Sequence, residues 1–269
     1  MSAKGAGDEN FPVASRLLPA WARPHVMAFY AFARAADDIA DAPNLSADEK
    51  LDVLMLMSAQ LASGDADPTP NVRELHLSLV ETGVTHTHPQ DLLRAFMRDA
   101  ETPRTKDWAD LLAYCKLSAA PVGRYLIDLL GGLRYGDYAA NDALCAALQI
   151  LNHIQDVKDD YQKLDRVYVP ADWMIEAGVA DKDLAAPKAS PQVRQVLDRM
   201  LDGVDDLLSQ AKPLPGTIRS RSLAREAGGI LSIAQALAQQ LRREDPVAVR
   251  VELSKARAAV HFLWGALKA

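Results

Sequence analysis

Cysteine is scarce in this chain, which bears on both its redox state and its metal chemistry. Only Cys115 and Cys145 occur among 269 residues, and their spacing matches no thiolate metal site. We therefore expect both to be reduced, buried thiols in a cytoplasmic protein. The first ten residues are small and polar and contain no apolar segment, so we expect no signal peptide.

Long hydrophobic runs and an excess of positive charge are also missing. No stretch of about 18 apolar residues is present, and the most apolar window, residues 228–241, is interrupted by serine and glutamine. We therefore expect no membrane-spanning helix, and a lipid substrate would be reached through a loose association with the inner membrane surface. The formal net charge of −6 argues against a nucleic-acid partner.

Aromatic residues make up only 6% of the chain, whereas alanine and leucine are abundant, a composition that favours helices over sheets. Apolar residues recur at helical spacing almost throughout, and no run alternates convincingly as a strand. The sequence predicts an all-α fold, with residues 1–269 forming a single domain of many helices around a central cavity. Predicted helices cover 24–41, 46–63, 71–82, 89–100, 107–130 with a kink at Pro121, 141–161, 191–210, 219–243 and 246–267, with an irregular segment over 165–191.

An acidic cluster ends the first predicted helix. Asp37 and Asp41 are four residues apart, so on a helix they share one face, and Arg34 and Tyr30 fall on the same stripe. Neighbouring positions are apolar, which indicates a buried segment in which charges need a partner or a metal. The alternative interpretation is a solvated acidic helix end, with Arg34 as an ordinary partner on the helix surface.

A second acidic cluster lies about 120 residues further along the chain. Asn152, Asp156 and Asp160 follow one another at steps of four, in a segment whose other positions are largely apolar. Carboxylate and amide oxygens suit Mg²⁺, which keeps several waters and completes its coordination with substrate phosphates. A polar helix face is the alternative here too, and we interpret the adjacent His153 as structural. Two such stripes on facing helices predict an enzyme that ionises a diphosphate.

Together the two clusters resemble the paired aspartate motifs of the squalene/phytoene synthase family. The first family motif is an aspartate pair preceded by arginine and tyrosine. The second is an asparagine with an aspartate pair, followed by a Tyr-x-Pro that matches Tyr168-Val169-Pro170. The resemblance extends over nearly the whole chain, and it implies an all-α isoprenoid synthase bundle. It also implies two or three Mg²⁺ ions bridged by the diphosphate of an isoprenyl substrate.

The resemblance further implies the roles of individual residues. It assigns catalysis to Asp37, Asp41, Asp156, Asp160 and Tyr30, metal binding to the same four aspartates and Asn152, and substrate binding to Arg34 and Asn152. From their positions in the sequence, we also expect substrate contacts from Lys116, Gln155, Phe29 and Val122. Arg34 would stabilise the departing diphosphate and Lys116 would be a second cation. Phe29 and Val122 would belong to an apolar wall that shields a carbocation from water.

Three stretches, residues 9–15, 118–124 and 151–156, resemble the family members that convert presqualene diphosphate and water to hydroxysqualene in bacterial hopanoid synthesis. The chain also departs from the wider family. Asn10, Phe11 and Pro12 stand where many members have His-Ser, Lys116 replaces a tyrosine in the middle of the chain, and Gln155 replaces an arginine. These departures fit an enzyme that uses one preformed cyclopropyl diphosphate. We expect it to receive this substrate from another enzyme of squalene synthesis and to pass its product on to a further one.

Three other hypotheses stay open from the sequence. Within the family, the chain could be a complete squalene or phytoene synthase that joins two farnesyl or geranylgeranyl diphosphates. An all-α nucleoside triphosphate pyrophosphohydrolase also binds Mg²⁺ through helical carboxylates, but its Glu-Glu-x-x-Glu pattern is absent here. A non-catalytic helical scaffold explains the helices, although it leaves two matched aspartate stripes in apolar segments unexplained.

Overall fold

The computed structural model describes residues 17–64 and 70–269, and it confirms the all-α prediction. Within those residues no β-strand forms, and β pairing is limited to two isolated bridges, Arg104 with Val167 and Leu133 with Ile218. The helices are α1 Ala22–Ala40, α2 Ala47–Ser63, α3 Pro70–Thr82, α4 Thr87–Glu101, α5 Trp108–Ser118, α6 Ala120–Leu129, α7 Ala139–Gln155, α8 Val157–Leu164, α9 Ala171–Ala177, α10 Pro191–Ala211, α11 Leu214–Thr217, α12 Arg221–Leu241 and α13 Lys255–Lys268, with a 3₁₀ turn at Asp181–Ala185.

Local capping explains where several helices begin. The backbone N of Glu49 donates to Ser46 Oγ (3.3 Å), and the backbone N of Ser46 donates to Glu49 Oε2 (2.8 Å), which makes a reciprocal capping box at α2. The hydrogen bonds from Ser46 hold the pKa of Glu49 below its usual value. Ser190 caps α10 through the backbone N of Val193 (3.1 Å), with Pro191 in the first turn. Both helices begin where the sequence predicts.

The long helix predicted over residues 107–130 is wrong as a single element. The chain breaks at Ala119, whose φ of −119° and ψ of −45° lie outside the regular helix, and α6 starts one residue later. Pro121 causes this break because it has no N–H to donate and its ring crowds the preceding turn. Proline is tolerated in the first turn of a helix, where Pro121 now lies.

The helix predicted over residues 141–161 is also divided, at Asp156. The backbone of Asp156 has φ −101° and ψ 10°, between α7 and α8, although its N–H still donates to the carbonyl of Asn152 (2.9 Å). No proline or glycine explains the break. Asp156 is also held by an ion pair with Arg250 from a distant segment. Tertiary contacts therefore accompany a bend that local sequence does not signal.

The prediction of one helix over residues 246–267 is wrong in its first half. Residues 246–254 are not helical, and α13 begins at Lys255 after a cap by Ser254. The nonhelical segment is held from outside, because the Val251 carbonyl accepts a hydrogen bond from Gln155 Nε2 (2.6 Å). Arg250 in the same segment pairs with Asp156. Contacts to α7 and its end thus replace the helical hydrogen bonds.

The helices surround a cavity of about 550 Å³. Side chains from α1, α4, α5, α6, α7, α8, α11 and α12 line it, which confirms the predicted central cavity. Outside this ring, α13 packs against α12, where Gly265 meets Gly228 and Gly229 backbone to backbone. No helix in the described part of the chain is long and apolar enough to cross a bilayer.

Candidate active site

The cavity brings most of the predicted site residues together. The aspartates of the two predicted stripes stand at the end of α1 and around the junction of α7 and α8, whereas earlier turns of α1 and α7 contribute apolar side chains such as Phe29 and Leu144. Helical spacing places the acidic residues of each stripe on one face, and both faces border the same cavity. The two stripes therefore form one polar region of the cavity wall. The predicted residues in the lining are Phe29, Tyr30, Arg34, Asp37, Asp41, Val122, Asn152, Asp156 and Asp160.

The carboxylates of α1 are paired with an arginine on the same helix. Arg34 donates to Asp37 Oδ2 (2.5 Å) through one terminal nitrogen and to Asp38 Oδ1 (2.6 Å) through the other. Burial, reinforced by the nearby charge of Asp41, raises the pKa of Asp37 to about 7. Two partly buried carboxylates on one face thus repel each other, and a cation between them would relieve that repulsion.

The second stripe is held by contacts from two directions. Arg250 donates to Asp156 Oδ1, from the segment that precedes α13. Nδ1 of His153 lies 3.6 Å from Oδ2 of Asp160, a longer contact. His153 itself lines the cavity and stacks on Tyr168, with ring centres 3.6 Å apart. The structure thus places His153 in the cavity wall, between an aspartate and an aromatic ring.

Arg166 is a cavity residue that the sequence did not identify. It is buried, and it donates to Asp41 Oδ1 (2.6 Å) and to the carbonyl of Ala40 (2.9 Å), so it fixes the end of α1. Burial alone lowers the pKa of Arg166, but the nearby Tyr168, Asp99 and Asp41 outweigh it and raise that pKa above its usual value. Arg166 therefore stays cationic inside the cavity wall.

A buried aspartate on α4 connects the two acidic stripes. Asp99 accepts hydrogen bonds from the hydroxyls of Tyr114 (2.7 Å) and Tyr168 (2.9 Å). Burial raises the pKa of Asp99 and those of both tyrosines. Since Tyr168 also stacks on His153, and Arg166 lies beside Asp99, a continuous polar wall joins the end of α1 to α8.

Two predicted substrate-binding residues lie elsewhere, which corrects their expected location. Lys116 is exposed on α5 and does not line the cavity. The cavity residues near it on α5 are Tyr114 and Ser118, each two positions away, because positions two apart face different sides of a helix. Gln155 is buried outside the lining, and its donation to Val251 secures the segment before α13. Asn10, Phe11 and Pro12 lie outside the described residues.

The rest of the lining is largely apolar, with one further acidic group. Phe29 stacks on Tyr125 with ring centres 4.3 Å apart, and the Tyr125 hydroxyl donates to the carbonyl of His25 (3.0 Å). On α12, the lining residue Glu226 is buried to 3% exposure, and its neighbours in the lining, such as Ile230, are apolar. A carboxyl group thus lines the cavity beside apolar residues of the same helix.

The oxygen donors fit Mg²⁺ only if a substrate completes the coordination. Among the residues that the structure describes, no three carboxylate, imidazole or thiolate side chains lie close enough to share one ion. The donors instead form two small groups, Asp37 with Asp41 and Asn152 with Asp156 and Asp160. Mg²⁺ is commonly held by one or two carboxylates together with substrate phosphates and water. The donor set therefore suits Mg²⁺ that arrives with a diphosphate.

A family model and individual known proteins point to the same family. A family model described as Squalene/phytoene synthase matches residues 5–258. The chain is 39% identical over 258 residues to a hydroxysqualene synthase of Zymomonas mobilis, covering 95% of this chain and 86% of the relative. It is 40% identical over 252 residues to a hydroxysqualene synthase of Rhodopseudomonas palustris, covering 94% and 86%.

Solved structures give the same fold. The crystal structure of a squalene synthase from Alicyclobacillus acidocaldarius aligns with a TM-score of 0.75 and 29% identity, over 86% of this chain and 87% of that one. A dehydrosqualene synthase in complex with a ligand aligns with a TM-score of 0.77 and 24% identity, over 96% of this chain and 92% of that one. The all-α arrangement around a cavity is thus shared with isoprenoid synthases.

Proposed function

Because the chain belongs to the squalene/phytoene synthase family and is an isoprenoid synthase, we propose that it converts presqualene diphosphate and water to hydroxysqualene and diphosphate. The observation that carries the proposal is its 37–40% identity to three hydroxysqualene synthases over most of the chain. Matches to phytoene synthases are weaker, such as 32% identity over 208 residues. The complete two-substrate synthase is therefore the less supported activity.

Family membership excludes two of the hypotheses left open by the sequence. A nucleoside triphosphate pyrophosphohydrolase and a non-catalytic scaffold both disagree with a family match that spans residues 5–258. The proposed place in metabolism is between an enzyme that makes the cyclopropyl diphosphate and one that consumes hydroxysqualene. Both compounds are long isoprenoids, so a peripheral contact with a membrane surface is part of the same proposal.

In the proposed reaction, the polar region of the cavity binds the diphosphate. Mg²⁺ held by Asp37, Asp41, Asn152, Asp156 and Asp160 would neutralise the negative charge that develops on the leaving group. Arg34, Arg166 and Arg250 now pair with the aspartates of this region. With Mg²⁺ bound to the aspartates, these guanidinium groups would be able to donate hydrogen bonds to phosphate oxygens, which arginine can bind through two nitrogens at once.

The apolar region controls what happens after ionisation. The bond between carbon and the diphosphate oxygen breaks, and both its electrons leave with diphosphate, so a cyclopropylcarbinyl cation forms and rearranges. Phe29, Tyr125 and Val122 line this region and limit access of water to the cation. A single water oxygen then bonds to the cationic carbon and gives up a proton. Tyr30 and Glu226 are the polar lining groups proposed to orient that water.

Product analysis tests the proposal directly. The purified protein would be incubated with Mg²⁺ and either presqualene diphosphate or farnesyl diphosphate, without NADPH, and the products identified by mass spectrometry. We expect hydroxysqualene from presqualene diphosphate and no product from farnesyl diphosphate. Presqualene diphosphate formed from farnesyl diphosphate would instead assign the first half-reaction to this chain. Turnover of neither substrate would reject the proposal.

The aspartate assignment is tested by Asp37→Ala and Asp156→Ala. Each removes one carboxylate ligand from one of the two groups, so we expect turnover to fall by about 10²- to 10³-fold, a magnitude typical of lost charge stabilisation. Asp38→Ala is the matched control, because Asp38 is an exposed neighbour on α1 that does not line the cavity. Near-normal rates in either cavity variant would show that the metal site lies elsewhere.

A further inference from the structure

The helix α13 presents an apolar stripe to solvent. Val260, Leu263, Trp264 and Leu267 are spaced as one face of a helix, and between 59% and 84% of each is exposed. Four large apolar side chains side by side differ from the scattered exposed residues that occur on any protein surface. The stripe therefore requires an explanation beyond ordinary surface composition.

The packing of α13 fixes this stripe outward. On the opposite face, Gly265 is buried against Gly228 and Gly229, so closely that a methyl group at any of the three would overlap atoms of the other helix. Phe262 covers Gly229 on the same side. Backbone-to-backbone contact leaves no room for α13 to rotate about its axis. The stripe consequently faces away from the bundle as a fixed feature of the fold.

The charge around the stripe is positive in an otherwise acidic protein. Lys255, Arg257 and Lys268 are exposed on α13, which carries no acidic residue, whereas the whole chain has a net charge of −6. Nζ of Lys268 lies 4.0 Å from the ring centre of Trp264. An apolar face bordered by lysine and arginine, with tryptophan at its edge, is typical of helices that lie at the interface of a bilayer.

We propose that α13 docks this stripe into the surface of a bilayer that contains anionic lipid, with its axis in the membrane plane. The helix has 14 residues, so it is about 21 Å long, shorter than the hydrocarbon core of a bilayer. A second copy of the chain is the less favoured occupant, because it would bring the same basic side chains against each other. This proposal specifies the membrane contact that belongs to the proposed function, and it is argued from the surface of α13 rather than from the reaction.

Vesicle flotation of the full-length protein tests this proposal. We expect the protein to float with vesicles of phosphatidylglycerol and phosphatidylethanolamine, and to bind vesicles of phosphatidylcholine alone at least about tenfold more weakly. The double variant L263Q/L267Q should reduce binding to the anionic vesicles by at least about tenfold, because it removes buried hydrocarbon. The variant R257Q/K268Q should remove most of the preference for anionic lipid and of the sensitivity to salt.

The controls separate docking from misfolding and from chemistry. The double variant V80Q/I175Q alters two exposed apolar residues on α3 and α9, and it should float like the unmodified protein. The variants at Leu263 and Leu267 should keep the same turnover of detergent-dispersed substrate, since neither residue lines the cavity. Absence of flotation, or equal flotation of L263Q/L267Q, would reject membrane docking. Loss of a concentration-dependent dimer in L263Q/L267Q, with lipid binding unchanged, would assign the stripe to a second copy.

Discussion

At the scale of single residues, two aspartates of the cavity are balanced by arginines from outside their own stripes. Asp41 is paired with Arg166 and Asp156 with Arg250, and each arginine comes from an irregular segment distant in sequence. A carboxylate removed from water is stable only with such a partner. The loops that follow α8 and α12 therefore complete the electrostatics of the helices.

Arg166→Gln should destabilise the protein by roughly 3 kcal/mol. The substitution removes the buried cation beside Asp99 and leaves Asp41 without its ion-pair partner; the value lies at the low end for broken buried pairs because Asp41 is partly exposed. Urea denaturation would measure the free energy of unfolding. Arg94→Gln, which breaks the exposed pair with Asp91, should change it by less than about 1 kcal/mol. If both substitutions lowered the free energy of unfolding equally, the buried ion pair of Arg166 would contribute no more to stability than an exposed one.

Glu226 offers a second test at the residue scale. In the proposed reaction, Glu226→Leu removes a carboxyl group that can orient the attacking water, so we expect less hydroxysqualene and more hydrocarbon formed by proton loss. The expected fall in the rate of alcohol formation is about 10²-fold, as for a lost proton acceptor. Mass spectrometry of the product mixture gives the ratio. Glu81→Leu, at an exposed position on α3, should leave that ratio unchanged. An unaltered ratio for Glu226→Leu would leave Tyr30 as the candidate.

The cavity residues that the sequence identified are those that repeat at helical spacing. Asp37 with Asp41, and Asn152 with Asp156 and Asp160, repeat at helical spacing, so helix geometry alone places each group on one face. Arg166 belongs to a loop and carries no periodic signal, although it stands two residues before the Tyr168 motif. The prediction that Lys116 binds substrate comes from alignment to the family. Such an alignment does not show which face of a helix a single lysine occupies.

At the scale of elements, the start of a helix can be predicted from sequence where a capping residue or a proline marks it. A break that depends on distant contacts cannot be predicted in this way. Ser46 and Ser190 mark α2 and α10, and Pro121 marks the start of α6. The bend at Asp156 and the nonhelical residues 246–254 depend on each other, because Arg250 and Val251 contact the end of α7. Interactions about 95 residues apart in sequence leave no local signal.

The contact between α12 and α13 predicts a large effect of a small substitution. Gly265→Ala would push a methyl group into the backbone of Gly228 and Gly229, where no side chain can move aside, so we expect a loss of about 2 kcal/mol in the free energy of unfolding. Gly216→Ala is the control, since its added methyl group would lie 3.7 Å from the Tyr135 hydroxyl in ordinary contact. If both variants melt at the temperature of the unmodified protein, the two helices pack less closely than described.

At the scale of the whole molecule, ligand binding should require metal and diphosphate together. No three ligand side chains of the described residues lie close enough to share an ion, and both groups of oxygen donors are paired with arginine or histidine, so we expect neither Mg²⁺ nor inorganic diphosphate to bind tightly by itself. When Mg²⁺ and diphosphate bind together, the phosphate oxygens would complete the coordination of the metal. The same oxygens would accept hydrogen bonds from the arginines that the aspartates release. We expect the two together at about 100 times their dissociation constants to raise the melting temperature by roughly 5 °C, and either one alone by less than about 1 °C.

The same melting experiment with Asp37→Asn and Asp156→Asn distinguishes site binding from a general salt effect. Each variant keeps the size of the side chain and loses one charged ligand, so the joint stabilisation should fall by more than half, whereas Asp38→Asn should retain it. Full stabilisation by Mg²⁺ alone would mean that the protein holds the ion without substrate. That result would contradict the argument that two separated donor groups, bridged by a diphosphate, make the cavity selective for ligands that carry both phosphate groups.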